Sequence, residues 1–326
     1  MDGCKGLAIV LVVYGHVAGG LEAAGSLKEG SLFITLRSWV YLFHMPAFFL
    51  LSGLFAQRAI GRPWLAFIDG KVRTLVYPYI LWTGIYLSAQ TLMARFANNP
   101  PDIAKAERLL WEPYGYGLWF LYCLFLISLL FHGLLLARLP KPVILLGALG
   151  LHLAAWHNVF GIWPIFNTAM LNFVFYAMGG LYAKRIFALV EKLGTTAAIV
   201  AGILLLGLMT GLYLALGGFA LPLALVFAVP GIAGLILLAK GVGRFTSLAS
   251  VLGLYSLEIY LAHPLFSIAP RAILGRMGIH APLAGIIAGV LAGIVVSLAL
   301  AVCCQKLKFP WLFRWPMNRQ PEGQTR

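Results

Sequence analysis

The sequence predicts an all-α, polytopic integral membrane protein of about ten transmembrane helices, with the N- and C-termini both on the cytoplasmic side. Three observations predict it. The 326 residues are 61% hydrophobic and only 10% charged, with a mean hydropathy of +0.92. Soluble domains average about 25% charged residues, so this chain lacks the polar surface to cover a globule of its size. Apolar runs able to span a bilayer, at roughly 20 residues each, recur ten times along the chain. The net charge of +14 is concentrated in alternate loops, as in a chain oriented by the positive-inside rule. Together these exclude a secreted domain, a disordered tail and a nucleic-acid binder, because the excess charge is loop charge and not a footprint for DNA or RNA.

The first run, 6–21, starts almost at the first residue and carries His16 in its middle, so it reads as a span and not as a cleavable signal peptide. The second, 38–57, holds His44 with Pro46 just after it, so the backbone there is prone to bend. It leads into the basic stretch Arg58 to Arg73 and then the third run, 74–94. Residues 95–114, with Pro100 and Pro101, form the longest extramembrane segment and read as an external loop. The fourth run, 115–137, contains Trp119, an aromatic of the kind that forms interfacial belts. The fifth, 142–157, is short; the sixth is 164–183. Only Gly217 and Gly218 separate the seventh, 194–216, from the eighth, 219–239, which implies a tight turn. The ninth, 246–268, and tenth, 281–304, precede a short basic cytoplasmic tail, 305–326, and the whole chain, 1–326, reads as one transmembrane domain. An even count puts both termini on one side. With the N-terminus inside, 17 of the 24 Lys and Arg residues fall on the inner side, as the charge rule requires. Cys4, Cys123, Cys303 and Cys304 show no metal-ligand spacing and read as small apolar residues, so no metal site is expected.

Polar residues that persist inside such spans carry the chemical information, since an ionisable group in hydrocarbon costs a few kcal/mol or more and turns toward a cavity or a partner. His16 follows Lys5 by 11 positions, about 20° from three full helical turns, so the two share a helix face with the imidazole about 16 Å deeper. That stripe runs from a cation at the cytoplasmic lip to an imidazole near mid-membrane. His44 lies about 20 Å from the inner end of its own run, close to the same depth. In the ninth run Ser256, Tyr260 and His263 fall at i, i+4 and i+7 and share a face, with Glu258 pointing elsewhere. Each group also has a structural reading: a histidine can bond a neighbouring helix, Lys71 and Arg73 can serve only as topology determinants, and Glu258 can pair across the bundle. A cationic mouth leading to a buried imidazole suits a polyanionic ligand entering from the cytosol, with the histidine as general base. It equally suits a proton-coupled carrier, and spacing alone does not separate the two.

Local sequence does. Met1-Asp-Gly-Cys-Lys-Gly-Leu-Ala-Ile-Val-Leu-Val-Val-Tyr-Gly-His16 resembles the first helix of the membrane-bound acyltransferase 3 family, glycan O-acyltransferases whose pattern is Arg or Lys, ten residues, then His. Phe43-His-Met-Pro-Ala-Phe-Phe-Leu-Leu-Ser-Gly53 is similar to the family's second helix, Lys71-Val-Arg-Thr-Leu-Val-Tyr-Pro78 to its first cytoplasmic loop, Leu118-Trp-Phe-Leu121 to a later helix and Ser256-Leu-Glu-Ile-Tyr-Leu-Ala-His263 to its late helix. The likeness is strongest over 1–82 and 250–266 and weak between 140 and 240. It implies an acyl-CoA dependent O-acyltransferase of the bacterial inner membrane that moves an acyl group, commonly acetyl from acetyl-CoA, onto a glycan or lipid-linked sugar hydroxyl. His16 is then the catalytic base, and Lys5, Lys71 and Arg73 hold the donor phosphates. Ser256, Tyr260 and His263, with His44, become acceptor or oxyanion contacts, and Glu258 and Trp119 further candidates. The family loop often reads Arg-x-x-Arg, whereas this chain has Gly70 before Arg73, so Lys71 stands as the substitute. A transporter or flippase for a glycan or anionic solute is the alternative, and it has no reason to share the first and late helix signatures.

Overall fold

The computed structural model describes residues 1–59, 61–92, 118–216, 224–241 and 246–315. The segment 95–114 expected as an external loop, the turn expected at Gly217 and Gly218, and residues 316–326 of the expected basic tail lie outside the described residues. All regular structure among the described residues is helical. In chain order the α-helices are α1 (Asp2–Ala23), α2 (Leu32–Tyr41), α3 (His44–Leu54), α4 (Trp64–Lys71), α5 (Tyr77–Leu92), α6 (Trp119–Leu136), α7 (Lys141–Trp156), α8 (Pro164–Lys192), α9 (Thr195–Ala215), α10 (Ala224–Gly241), α11 (Thr246–Leu254), α12 (Ser256–Arg276) and α13 (Pro282–Lys306).

In their described residues all ten apolar runs are helical, but they are not ten straight rods. Among the described residues seven helices are long and apolar enough to cross a membrane, with α2 and α3 counted as one span, and the bent pair of α11 and α12 makes an eighth. The other two runs are α5 and α7, 16 residues each, about 24 Å of helix against a hydrocarbon core of about 30 Å. α7 lies antiparallel beside α8 for most of its length. Asn167 Nδ2 donates to the Ala155 carbonyl at one end (3.0 Å), His152 Nδ1 meets the Leu171 carbonyl in the middle (2.6 Å), and Lys141 Nζ reaches the Leu181 carbonyl at the other (3.5 Å).

Three runs depart from the reading made from sequence. The ninth is not one helix: α11 and α12 meet at Tyr255 with an 83° bend, so the Ser256 to His263 series starts a new helix. The second begins six residues earlier, at Leu32, and is interrupted at Leu42 and Phe43, immediately before His44. Pro46 then falls in the first turn of α3, where the N–H it lacks would have no helical partner. The sixth continues to Lys192, with a non-helical residue at Tyr182. Hydropathy stops where Lys184 and Arg185 begin, but the backbone does not.

α1 is central and packs against α2, α3, α10, α11, α12 and α13. Its crossing with α11 is backbone to backbone, since a methyl group on Gly6 would overlap the Ala249 carbonyl and one on Gly253 that of Asp2. Small residues at such contacts let membrane helices approach closely where side-chain burial gains little over lipid. The starts of α1 and α11 and the ends of α8 and α10 meet around a cavity lined by Met1, Phe187, Val190, Lys240 and Ser250, where Lys240 Nζ donates to the Glu191 carbonyl (3.0 Å). Beyond α13, the segment Leu307–Trp315 returns to the same end. There Tyr77 Oη and Trp82 Nε1 donate to the Trp311 and Leu312 carbonyls (both 2.7 Å), and Phe313 stacks on Trp82. This gathers Lys5, Lys71, Arg73, Lys240 and Arg314 at one end of the bundle. At the opposite end Arg37 pairs with Glu22, and Arg271 Nη1 donates to the Gly20 carbonyl (2.8 Å).

Candidate active site

α1 and α12 run parallel, joined at one end through α11 and at the other through Arg271, and this brings their polar residues into register. The imidazoles of His16 and His263 meet edge to face, ring centres 5.0 Å apart. Sequence placed them on separate helices, and the fold puts them in contact. His263 is buried, its Nδ1 2.9 Å from the Ile259 carbonyl. A carbonyl only accepts, so Nδ1 carries the proton and the neutral ring presents Nε2 as an acceptor. That nitrogen is buried without a hydrogen-bond partner.

Cavities approach this pair from both ends. A cavity of about 200 Å³ is lined by Lys5, Val12, Ser52, Phe120, Ser256 and Tyr260. Another, of about 180 Å³, is lined by His16, Gly20, Pro264, Ser267, Arg271 and Gly285. One helical turn separates them on each helix, Val12 to His16 on α1 and Tyr260 to Pro264 on α12. The layer between contains the two histidines, with the Tyr260 ring centre 6.4 Å from that of His263. His16 itself is half-buried, its ring facing the second cavity.

The cations expected from sequence to hold a donor stand apart from one another. Lys5 lines the 200 Å³ cavity, 3.3 Å from Asp2 and above the Phe55 ring. Lys71 lines a neighbouring cavity of about 250 Å³ with Arg62, Thr74, Ser128 and His132, and Ser52 is common to both. Burial and the adjacent Arg62 push the Lys71 ammonium below its ordinary value. Arg73 is held by Asp69 at 2.8 Å, and its backbone carbonyl accepts from Trp315. A five-residue π turn, Val72–Val76, separates the lysine's helix from α5, a geometry that recurs at functional sites.

The remaining candidates border the centre. His44 is buried on α3, Nδ1 2.9 Å from the Val40 carbonyl, under the stacked ring of Tyr41, which also rests against Gly15 beside His16. Trp119 begins α6 and packs near Phe49. Glu258 turns away from both cavities and is buried against Arg314, 2.7 Å from Nη2. Sequence reasoning did not single out Arg62, His132, Ser267, Arg271 or Arg314. His132 is stacked on Phe67 with ring centres 3.9 Å apart, its Nε2 3.2 Å from the Arg62 carbonyl. No local motif marks these residues; their meaning comes from neighbours far along the chain.

The family model of the acyltransferase domain of the acyltransferase 3 family matches residues 1–302. The chain belongs to the acyltransferase 3 family. No curated protein and no solved structure matches it at a significant level. The family match ends inside α13, four residues before its last residue, so the returning segment that carries Arg314 lies beyond it. In this family member the Lys5 to His16 stripe, the paired histidines and the cavity at each end all lie within the matched region.

Proposed function

We propose that this membrane acyltransferase moves an acyl group, acetyl in the simplest case, from acyl-CoA bound at the Lys5 end to a hydroxyl of a glycan or lipid-linked sugar that enters from the opposite end. The Lys5 end, with its excess of cations, is then cytoplasmic, in an inner membrane of bacterial type. The observation that carries the reading is the layered arrangement: a cavity at each end and one helical turn of imidazoles between them. Lys5 in one inner cavity and Lys71 with Arg62 in the other would hold the polyanionic coenzyme, while its pantetheine arm carries the thioester inward past Ser256 and Tyr260.

His16 takes the proton as the acceptor oxygen attacks the thioester carbon. The C–O bond forms, the C–S bond breaks, and the proton passes to the departing thiolate, leaving ester and free CoA. A positioned base of this kind is worth about 10² to 10⁴ in rate. Tyr260 and Ser256 lie on the donor side as hydroxyl donors for the oxyanion. His263, with Nε2 as acceptor, suits orienting a hydroxyl or the His16 ring better than donating to that oxyanion. His44 supports the same layer from α3.

Membranes containing the wild type, given labelled acetyl-CoA and a glycan acceptor, should transfer label; His16→Ala should abolish transfer while the protein still inserts and binds acetyl-CoA. Undiminished transfer by His16→Ala overturns the base assignment. Solute movement by a wild type that acylates nothing would instead establish the carrier, which the same two-sided layering also fits.

A further inference from the structure

We infer that the cavity beside His16 selects an anionic sugar, with Arg271 binding a carboxylate or phosphate on the same ring whose hydroxyl is presented to His16. This rests on the acyl-transfer reading and names the chemistry of its acceptor. Arg271 lines the cavity and spends Nη1 on the Gly20 carbonyl (2.8 Å), and among the described residues no carboxylate pairs with it. The contrast at that end of the bundle is Arg37, whose charge is answered by Glu22. A guanidinium has five N–H donors in a rigid fork, so the group keeps capacity for a bidentate anion.

The spacing fits one monosaccharide. Gly20 is four residues beyond His16, about 6 Å along the helix, and the guanidinium bonded to its carbonyl lies further out by roughly a hydrogen bond. An anionic substituent and a reacting hydroxyl on opposite sides of one pyranose span that distance. The cavity, about 180 Å³, has room for a single ring. Ser267 lines the same cavity, with its Oγ turned against Gly293 of α13 and away from the ligand space.

The test uses purified full-length protein in detergent, labelled acetyl-CoA and matched probes: a hexuronate methyl glycoside, a hexose 1-phosphate and the neutral hexose methyl glycoside. The wild type should favour an anionic probe by about tenfold to a hundredfold in kcat/KM, the range expected of a charged hydrogen bond. Arg271→Gln should erase that preference and leave the KM for acetyl-CoA unchanged, with Arg271→Lys intermediate. Which anionic probe leads distinguishes an acidic sugar from a lipid-linked sugar phosphate. Binding is read separately from chemistry as ligand-induced thermal stabilisation of His16→Ala. Anionic probes should stabilise it more than the neutral one, and adding Arg271→Gln should remove the difference. Anion-selective binding together with no acylation by the wild type would sink the acyl-transfer reading and leave this inference standing. Equal treatment of anionic and neutral probes by the wild type overturns it, as does an Arg271→Gln protein that loses stability and donor affinity but keeps the preference.

Discussion

Lys71 and Arg73 stand two residues apart yet have different surroundings: the lysine lines a cavity with Arg62, and the arginine is occupied by Asp69. Lys71→Ala should therefore raise the apparent KM for acyl-CoA by about tenfold, and Arg73→Ala by less, with both effects shrinking as salt is added. Because the Lys71 pKa lies below the ordinary lysine value, its charge is present at lower pH and is lost earlier as pH rises. Donor affinity should fall with rising pH in a step that Lys71→Arg removes, as steady-state titration against acyl-CoA would show. A second residue-level expectation concerns Glu258, whose buried carboxylate depends on Arg314. Arg314→Ala should lower the melting temperature by the equivalent of about 1–2 kcal/mol, and less in a Glu258→Gln background, which thermal denaturation in a double-mutant cycle would resolve. The Lys5 to His16 stripe was legible from sequence because helical phase is local. The contact of His16 with His263, and that of Glu258 with Arg314, depend on packing between helices hundreds or tens of residues apart, which no periodicity encodes.

Helices were found where hydropathy located them, and of their interruptions the one near His44 was legible. Pro46 pointed to a bend there, and the break falls at Leu42 and Phe43, immediately before His44, with the proline in the first turn of α3, where it is well tolerated. The 83° bend at Tyr255 carries no proline or glycine at the junction itself and arises inside a continuous apolar run, so only tertiary packing fixes it. That packing is the glycine-mediated contact of α11 with α1, which sets where α12 begins and hence brings His263 to His16. Gly6→Ala should push Ala249 and α11 away and destabilise the protein by about 1–3 kcal/mol. Gly207→Ala, on α9 with open space around it, should change stability by no more than about 0.5 kcal/mol. Thermal midpoints of the two purified variants test this, and equal loss in both would contradict a specific α1–α11 contact.

At the scale of the molecule, orientation follows from how many of the helices cross. The short α7 decides it, since every later segment changes side if α7 lies on the surface. Its hydrogen bonds to α8 run from Asn167 to Leu181, so α7 keeps pace with a helix long enough to span, as a crossing requires. α5 is placed in the same way, with Tyr77 at the level of Trp311 and Tyr86 Oη bonded to the Leu261 carbonyl one turn into α12. If α5 and α7 both cross, ten crossings return the chain to its starting side, and the end of the bundle that holds Lys5, Lys71, Lys240 and Arg314 is the one expected in the cytoplasm by the positive-inside rule. Reporter tags fused after Arg326 and inserted near Lys192 should both read as cytoplasmic, and one near Pro100 as exterior. A tag near Lys192 found outside, with the one near Pro100 also outside, would mean that α7 does not cross. Arg271 and the acceptor cavity would keep their place beside His16, but the Lys184 to Lys192 cations would stand outside, against the charge rule that orients the rest of the chain.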